Sequence, residues 1–167
     1  NGTSTSQQWA YPQPVLSDIE FTSNGDMVLG FFDRTGHQWG SFNRQFLGDR
    51  GSGNNTLNGV YSSGDILIAG LDCTAGTYAL ENNGSYSSAN GTTYTSGTAN
   101  GEGPGGSEFF KGESFGGHNE SAQGGLGAIK GQNEVMTISM DPQALNTGGV
   151  IRLSTVNGTK AASYQLY

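Results

Sequence analysis

The sequence predicts an all-β protein: two four-stranded antiparallel propeller-like blades with long glycine-rich loops, a β-sandwich being the alternative arrangement. Three observations predict it. Short runs alternate apolar and polar residues, turn residues punctuate those runs, and the order of runs in the first half returns in the second.

Residues 1–14 are polar and close on Tyr11-Pro12-Gln13-Pro14, whose prolines favour an extended N-terminal arm. From Val15 to Phe21, Val15, Ser17, Ile19 and Phe21 share one face while Asp18 and Glu20 share the other, the period of a half-buried strand. Ser23-Asn24-Gly25-Asp26 follows. Asn-Gly between apolar runs marks a hairpin turn, because both residues tolerate positive φ. Met27 to Phe32 is almost wholly apolar, as expected of a strand covered on both faces, and Asp33-Arg34-Thr35-Gly36 ends it. An inserted loop, 35–63, holds Trp39, Phe42, Phe46, Leu47 and Tyr61 among glycines and reads as an ordered surface excursion. Strands at Asp65 to Leu71 and Thr77 to Leu80 complete the first meander, residues 15–81.

Sliding the chain by 108 positions lays Phe21 on Ile129, Met27 on Val135 and Asp33 on Asp141. Further on, Gly64-Asp65-Ile66-Leu67-Ile68 resembles Gly148-Gly149-Val150-Ile151-Arg152, and Thr77-Tyr78-Ala79-Leu80 resembles Ser163-Tyr164-Gln165-Leu166. Without about 24 extra residues in the first copy, each unit is about 42 residues long, the length of a propeller blade. The second blade is therefore placed at 125–167. Residues 82–124 between the units are rich in glycine, serine, asparagine and threonine, a composition that makes neither helix nor core. Phe109, Phe110 and Phe115 give this loop something to bury, so it is expected to be pinned to the blades. Helix is nearly absent, and only Asp141-Pro142-Gln143-Ala144-Leu145 has a helical start, with Asp141 as cap and Pro142 first.

Of the 167 residues 33% are apolar, 13% are charged and 29 are glycine, which is not the composition of a typical cytosolic enzyme. The net charge of −7 disfavours nucleic acid and anionic lipid as partners. No run approaches the ~18 apolar residues of a membrane-spanning helix. No signal peptide is recognisable, and a start at Asn1-Gly2-Thr3 is that expected of a mature or excised segment. Low charge and abundant Gly, Ser, Thr and Asn predict an exported protein, extracellular or at the cell surface. Cys73 is the single cysteine, which excludes an intrachain disulfide and any cysteine-cluster metal site; it is expected to be a small buried residue near a strand end. Six Asn-x-Ser/Thr sequons, at Asn1, Asn54, Asn83, Asn90, Asn119 and Asn157, are glycosylation candidates, although turn-rich composition produces the same pattern.

Tyr11-Pro12-Gln13-Pro14 leading into Leu16-Ser17-Asp18-Ile19-Glu20-Phe21, then Gly25-Asp26-Met27 through Gly30-Phe31-Phe32-Asp33-Arg34, resembles a module of very large exported bacterial surface proteins. Gly103-Pro104-Gly105-Gly106-Ser107-Glu108-Phe109-Phe110 and Gly148-Gly149-Val150 to Tyr167 fit the same module. In that group propeller-like segments stand beside serine-aspartate-type B repeats and other immunoglobulin-like repeats. The resemblance implies a structural or adhesive role, with no catalytic residues to carry over. It also implies further blades upstream of Ala10, and Gly36-His37-Gln38-Trp39 departs from the more acidic turn of the group. Two blades cannot close a ring of four to eight, and open edges expose unpaired N–H and C=O groups. Upstream blades, sandwich packing, or copies completing each other's edges would each answer this. The last gives a filament when contacts do not close.

Asp18, Glu20, Asp26, Asp33, Asp65, Asp72 and Asp141 sit at strand ends and turns, where oxygen ligands for structural calcium could converge. Against this, Asp and Asn favour turns for local hydrogen bonding, and no EF-hand spacing is present. The candidate metal set is Asp33, Asp141, Glu108 and His118. His37 and His118 are the only histidines, and zinc would require both, or one with carboxylates. A glycoside hydrolase would need paired carboxylates such as Asp33 and Glu108. No nucleophile elbow, phosphate-binding loop or dinucleotide fingerprint occurs. Loop aromatics, Trp9, Tyr11, Trp39, Phe42, Phe46, Tyr86, Tyr94 and Phe115, suit a platform for sugar rings or a neighbouring subunit. The leading expectation is a non-catalytic structural or adhesive module without cofactor, partnered by copies of itself or other parts of a larger surface protein. A glycan-binding module comes second and a hydrolase third.

Overall fold

The chain runs Gln7–Trp9 (β1), Pro14–Phe21 (β2), Met27–Asp33 (β3), Arg34–Trp39 (α1), Asn43–Arg44 (β4), Leu57–Val60 (β5), Asp65–Asp72 (β6), Thr77–Leu80 (β7), Ser85–Ser87 (β8), Thr93–Thr95 (β9), Ala122–Ala128 (β10), Glu134–Ser139 (β11), Gly149–Ser154 (β12) and Lys160–Gln165 (β13). The computed structural model describes residues 13–38, 64–96, 101–113, 120–140 and 148–166 in full, and the backbone of 7–9, 39, 43–44 and 57–60. The protein is all-β with antiparallel sheets. One meander has the order β2-β3-β6-β7 and the other β10-β11-β12-β13, so the two halves share a strand order. A small sheet, β1-β5-β4, contains a parallel pair between β1 and β5, so part of the expected arm is a strand. Pro14 opens β2, where a missing N–H is tolerated.

Residues paired across a sheet share a face. In the first sheet Val28 pairs Ile68 and Gly30 pairs Ile66, and these line the buried face. Ile19 pairs Leu29, which pairs Leu67; Phe21 pairs Met27, which pairs Ala69, which pairs Leu80. These residues, with Leu71 and Tyr78, line the opposite face, where Ile19, Phe21, Tyr78 and Leu80 are exposed. In the second sheet Val135, Thr137, Ile151 and Leu153 line the buried face, and Ile138 and Tyr164 lie exposed on the other. The core joins Val28, Ile66 and Ile68 of one sheet to Ala122, Val135, Ile151 and Leu153 of the other, with Tyr86, Phe109 and Phe110 completing it.

The repeat makes this packing directional. A shift of 108 takes Val28 and Gly30, buried, to Met136 and Ile138, on the outer face; it takes Met27 and Leu29, on the outer face, to Val135 and Thr137, buried. Along β3 and β11 unlike faces therefore meet, and each of these strands leaves open the face that its counterpart buries.

Several expectations are corrected. Strand β2 turns Leu16, Ile19 and Phe21 outward and keeps Asp18 and Glu20 half-buried, because the register shifts between Leu16 and Asp18 and its polar residues face β10. Strand β3 is central but only one of its faces is fully covered: Val28 and Gly30 are buried, Met27, Leu29 and Phe31 half-buried. In the first hairpin Gly25 alone has positive φ, 87°, and the turn closes by Thr22 N–H to the Asp26 carbonyl at 2.9 Å, so it is longer than a two-residue Asn-Gly turn. Arg34–Trp39 forms a short helix inside the stretch expected to be a loop. Asp33 caps it, accepting from the Thr35 and Gly36 N–H groups at 3.1 Å each. Cys73 is exposed, since it lies in the turn that Asp72 closes over Thr74 and Ala75.

The connection 82–124 is more structured than its composition indicates. It holds the β8–β9 hairpin and the opening of β10, and it contributes Tyr86, Phe109 and Phe110 to the core. Its phenylalanines dock as expected, ring edge against ring face: Tyr86 on Phe109 at 4.9 Å and Phe109 on Phe110 at 5.2 Å. Phe115 and Asp141-Pro142-Gln143-Ala144-Leu145 lie outside the described residues.

Candidate metal centre

Asp65, Glu108, Glu113 and Glu120 converge, with one carboxylate oxygen of each within 4.8 Å of the others. The backbone brings them there. Gly64 sits where a Cβ would strike the carbonyls of Phe31 and Ala122, so β6 and β10 approach closely beside Asp65. Glu108 is held by its neighbours: Ser96 Oγ donates to the Glu108 carbonyl at 2.7 Å, and the Phe109 N–H donates to Glu81 at 2.6 Å. Glu113 is tied to the start of β10, its Oε2 accepting from the Ala122 N–H at 3.1 Å. Ser121 Oγ contacts the Glu113 carbonyl and shares a hydrogen bond with Ser139 Oγ at 2.9 Å. Glu120 immediately precedes Ser121.

Glu108 and Glu113 are buried, and Asp65 and Glu120 are half-buried. Burial and mutual repulsion work together on these acids. Desolvation, followed by the charges of Glu120, Glu108 and Asp65, holds Glu113 well above the usual carboxylate range. Glu120 is pushed up to about 9 by desolvation and then by Glu108, Asp65 and Glu102. Asp65 is raised chiefly by burial. Asp65 Oδ1, Glu113 Oε1 and Glu120 Oε2 are buried oxygens that accept no hydrogen bond. Four carboxylates are a hard, all-oxygen donor set suited to calcium-type cations.

Of the acids expected to bind metal, Asp65 and Glu108 belong to this group. Asp33 does not: Gln13 N–H donates to it at 2.9 Å, and the rest of its carboxylate caps α1. Asp26 accepts from Leu71 and Ala89 N–H groups and from Ser88 Oγ, so it too is committed to backbone closure. Asp141 and His118 lie outside the described residues. His37 is exposed, its ring edge-on to Phe32 at 5.0 Å.

Among the aromatics, Tyr86 is a core residue that donates to the Thr155 carbonyl at 2.7 Å, and Tyr94 stacks behind it at 5.4 Å. The side chains of Trp9 and Trp39, and Tyr11, Phe42, Phe46 and Phe115 entirely, are outside the described residues. Asn83, Asn90 and Asn157 occupy exposed turns, and Asn1, Asn54 and Asn119 are outside the described residues. Sequence reasoning missed Glu113 and Glu120. The signal was present: residues 102–120 carry four glutamates in the glycine-rich part of the chain.

No protein-family model matches the chain, and no solved structure matches it. The chain is similar to Colossin-B of Dictyostelium discoideum, 31% identical over 153 residues. That match covers 88% of this chain and spans about 4% of the length of Colossin-B.

Proposed function

We propose that the chain is a non-catalytic structural or adhesive module of a large extracellular surface protein, built of two propeller-like blades and able to assemble with further copies. The observation that carries this reading is the directional packing of the two sheets. The outer face of the first sheet, where Ile19, Phe21, Tyr78 and Leu80 are exposed, also carries Met27, Leu29 and Leu67, whose counterparts by repeat, Val135, Thr137 and Ile151, are buried in the second sheet. The outer face of the second sheet, where Ile138 and Tyr164 are exposed, carries Met136, Ile138 and Val150, whose counterparts Val28, Gly30 and Ile66 are buried in the first sheet, while Tyr164 and its counterpart Tyr78 are both exposed. Arg152 on that face pairs with Glu134 and reaches Tyr164 Oη at 3.1 Å, so it can be covered without stranding a lone charge. Along their central strands the two open faces are thus matched to each other, and contact between copies follows the internal one, face to face and head to tail. With two blades per copy, two to four copies complete a ring of about four to eight blades. Similarity to a small fraction of the length of Colossin-B supports a role as one module of a long chain.

Sedimentation across a wide concentration range tests this. The 17.4 kDa chain is expected to form species of two to four copies, or longer ones if the rotation does not close. Phe21→Lys or Ile138→Lys alone stops assembly. Mixing the two variants restores a two-copy species, because each keeps the face the other lacks. A chain that stays single at every concentration, or assembly that ignores both substitutions, overturns the reading.

A further inference from the structure

We propose that Asp65, Glu108, Glu113 and Glu120 bind one calcium ion, which clamps the first sheet, the glycine-rich connection and the second sheet together. Asp65 begins β6, Glu108 and Glu113 belong to the connection, and Glu120 leads into β10, so a shared ion ties three segments distant in sequence.

Two independent features point to a ligand. The first is convergence: four carboxylate oxygens lie within 4.8 Å of each other. Oxygens on opposite sides of calcium stand about 4.6–5.2 Å apart, whereas magnesium draws them to about 4.0–4.2 Å and keeps much of its water. The second is Glu113 itself, 2% exposed, whose Oε1 accepts no hydrogen bond while Oε2 takes the Ala122 N–H. Leaving a buried polar oxygen without a donor is unfavourable, and a cation removes that penalty. Asp65 Oδ1 and Glu120 Oε2 stand in the same condition.

The test uses the full chain, freed of metal by a chelator, at pH 7. Calorimetric titration with calcium chloride is expected to give one site per chain. Melting with calcium a hundredfold above its Kd is expected to rise by about 5–10 °C. Glu113→Gln keeps an acceptor for the Ala122 N–H, weakens calcium binding about tenfold or more, and raises the melting point of the metal-free chain. Asp65→Asn, at the rim, repeats the comparison should Glu113→Gln fold poorly. No heat and no melting shift at millimolar calcium overturns the proposal, as does undiminished binding in both variants. An equal response to magnesium overturns the assignment to calcium. These readings do not depend on assembly between copies.

Discussion

Ser17 Oγ donates to the carbonyl of Gly124 at 2.9 Å, joining the first strand of one repeat to the first strand of the other. Asp18 accepts from the Leu126 N–H at 2.9 Å, and Ser23 Oγ from the Gly131 N–H at 2.6 Å, and both pairs are 108 residues apart. Equivalent positions of the two repeats are thus in contact. The polar side of β2 does this work, which explains why its apolar side is left facing solvent.

Removing that stitching should loosen the sheets. Asp18→Ala is expected to cost about 1.5–3 kcal/mol, because it strips a charged acceptor from a backbone N–H, and Ser17→Ala about 0.5–1.5 kcal/mol. Urea unfolding measures both. Equal, negligible effects would mean that the sheets are held by the apolar core alone.

Gly70 has no room for a side chain, since a Cβ there would run into the Ser87 carbonyl of the β8–β9 hairpin. Gly70→Ala should force the hairpin away from β6 and destabilise by about 1–3 kcal/mol or more. Amide exchange would then speed up in β8 and β9 first.

Phe109 is fully buried between Tyr86 and Phe110. Phe109→Ala is expected to cost about 3–5 kcal/mol, far more than trimming an exposed side chain such as Leu166. Thermal melting checks the contrast. A small loss would show that the glycine-rich connection is only loosely docked.

Glu81 is buried and pushed up to about 7 from 4.5, chiefly by desolvation, against the opposing pull of the Ile68 and Phe109 N–H groups. Its charged neighbour is Asp65, which raises it further. Between about pH 4.5 and 7 the folded chain holds a proton that the unfolded chain releases, so stability is highest below that window and falls as pH rises through it. The loss is on the order of 3 kcal/mol. Glu81→Gln should flatten this part of the profile, while its amide leaves one of the two N–H donors unserved and lowers stability at pH 5. Chemical denaturation in chelator from pH 4.5 to 8 compares the two chains; parallel profiles would exclude Glu81 as the cause.

Most strand positions were legible because they depend on local alternation and on glycine-marked turns. Thr77 to Leu80 is one such strand, and the internal repeat, at a shift of 108 for the first two strands and of 84 to 86 for the last two, matches the two four-stranded meanders. The side of β2 that is buried was not legible. A one-residue register shift near Ser17 inverts a period-two pattern, and which side is covered depends on β10, more than a hundred residues away. The acidic centre was half legible. Asp65 and Glu108 stood out as carboxylates, but their meeting with Glu113 and Glu120 requires three separate segments to be folded against one another.

The amino-acid order by itself determined that the chain alternates, turns and repeats, since those are properties of neighbouring residues and their steric preferences. Only the tertiary structure decided which faces are covered and which charges are forced together. Burial and desolvation are set by whatever lies across the core, and that is not encoded in any short stretch of chain.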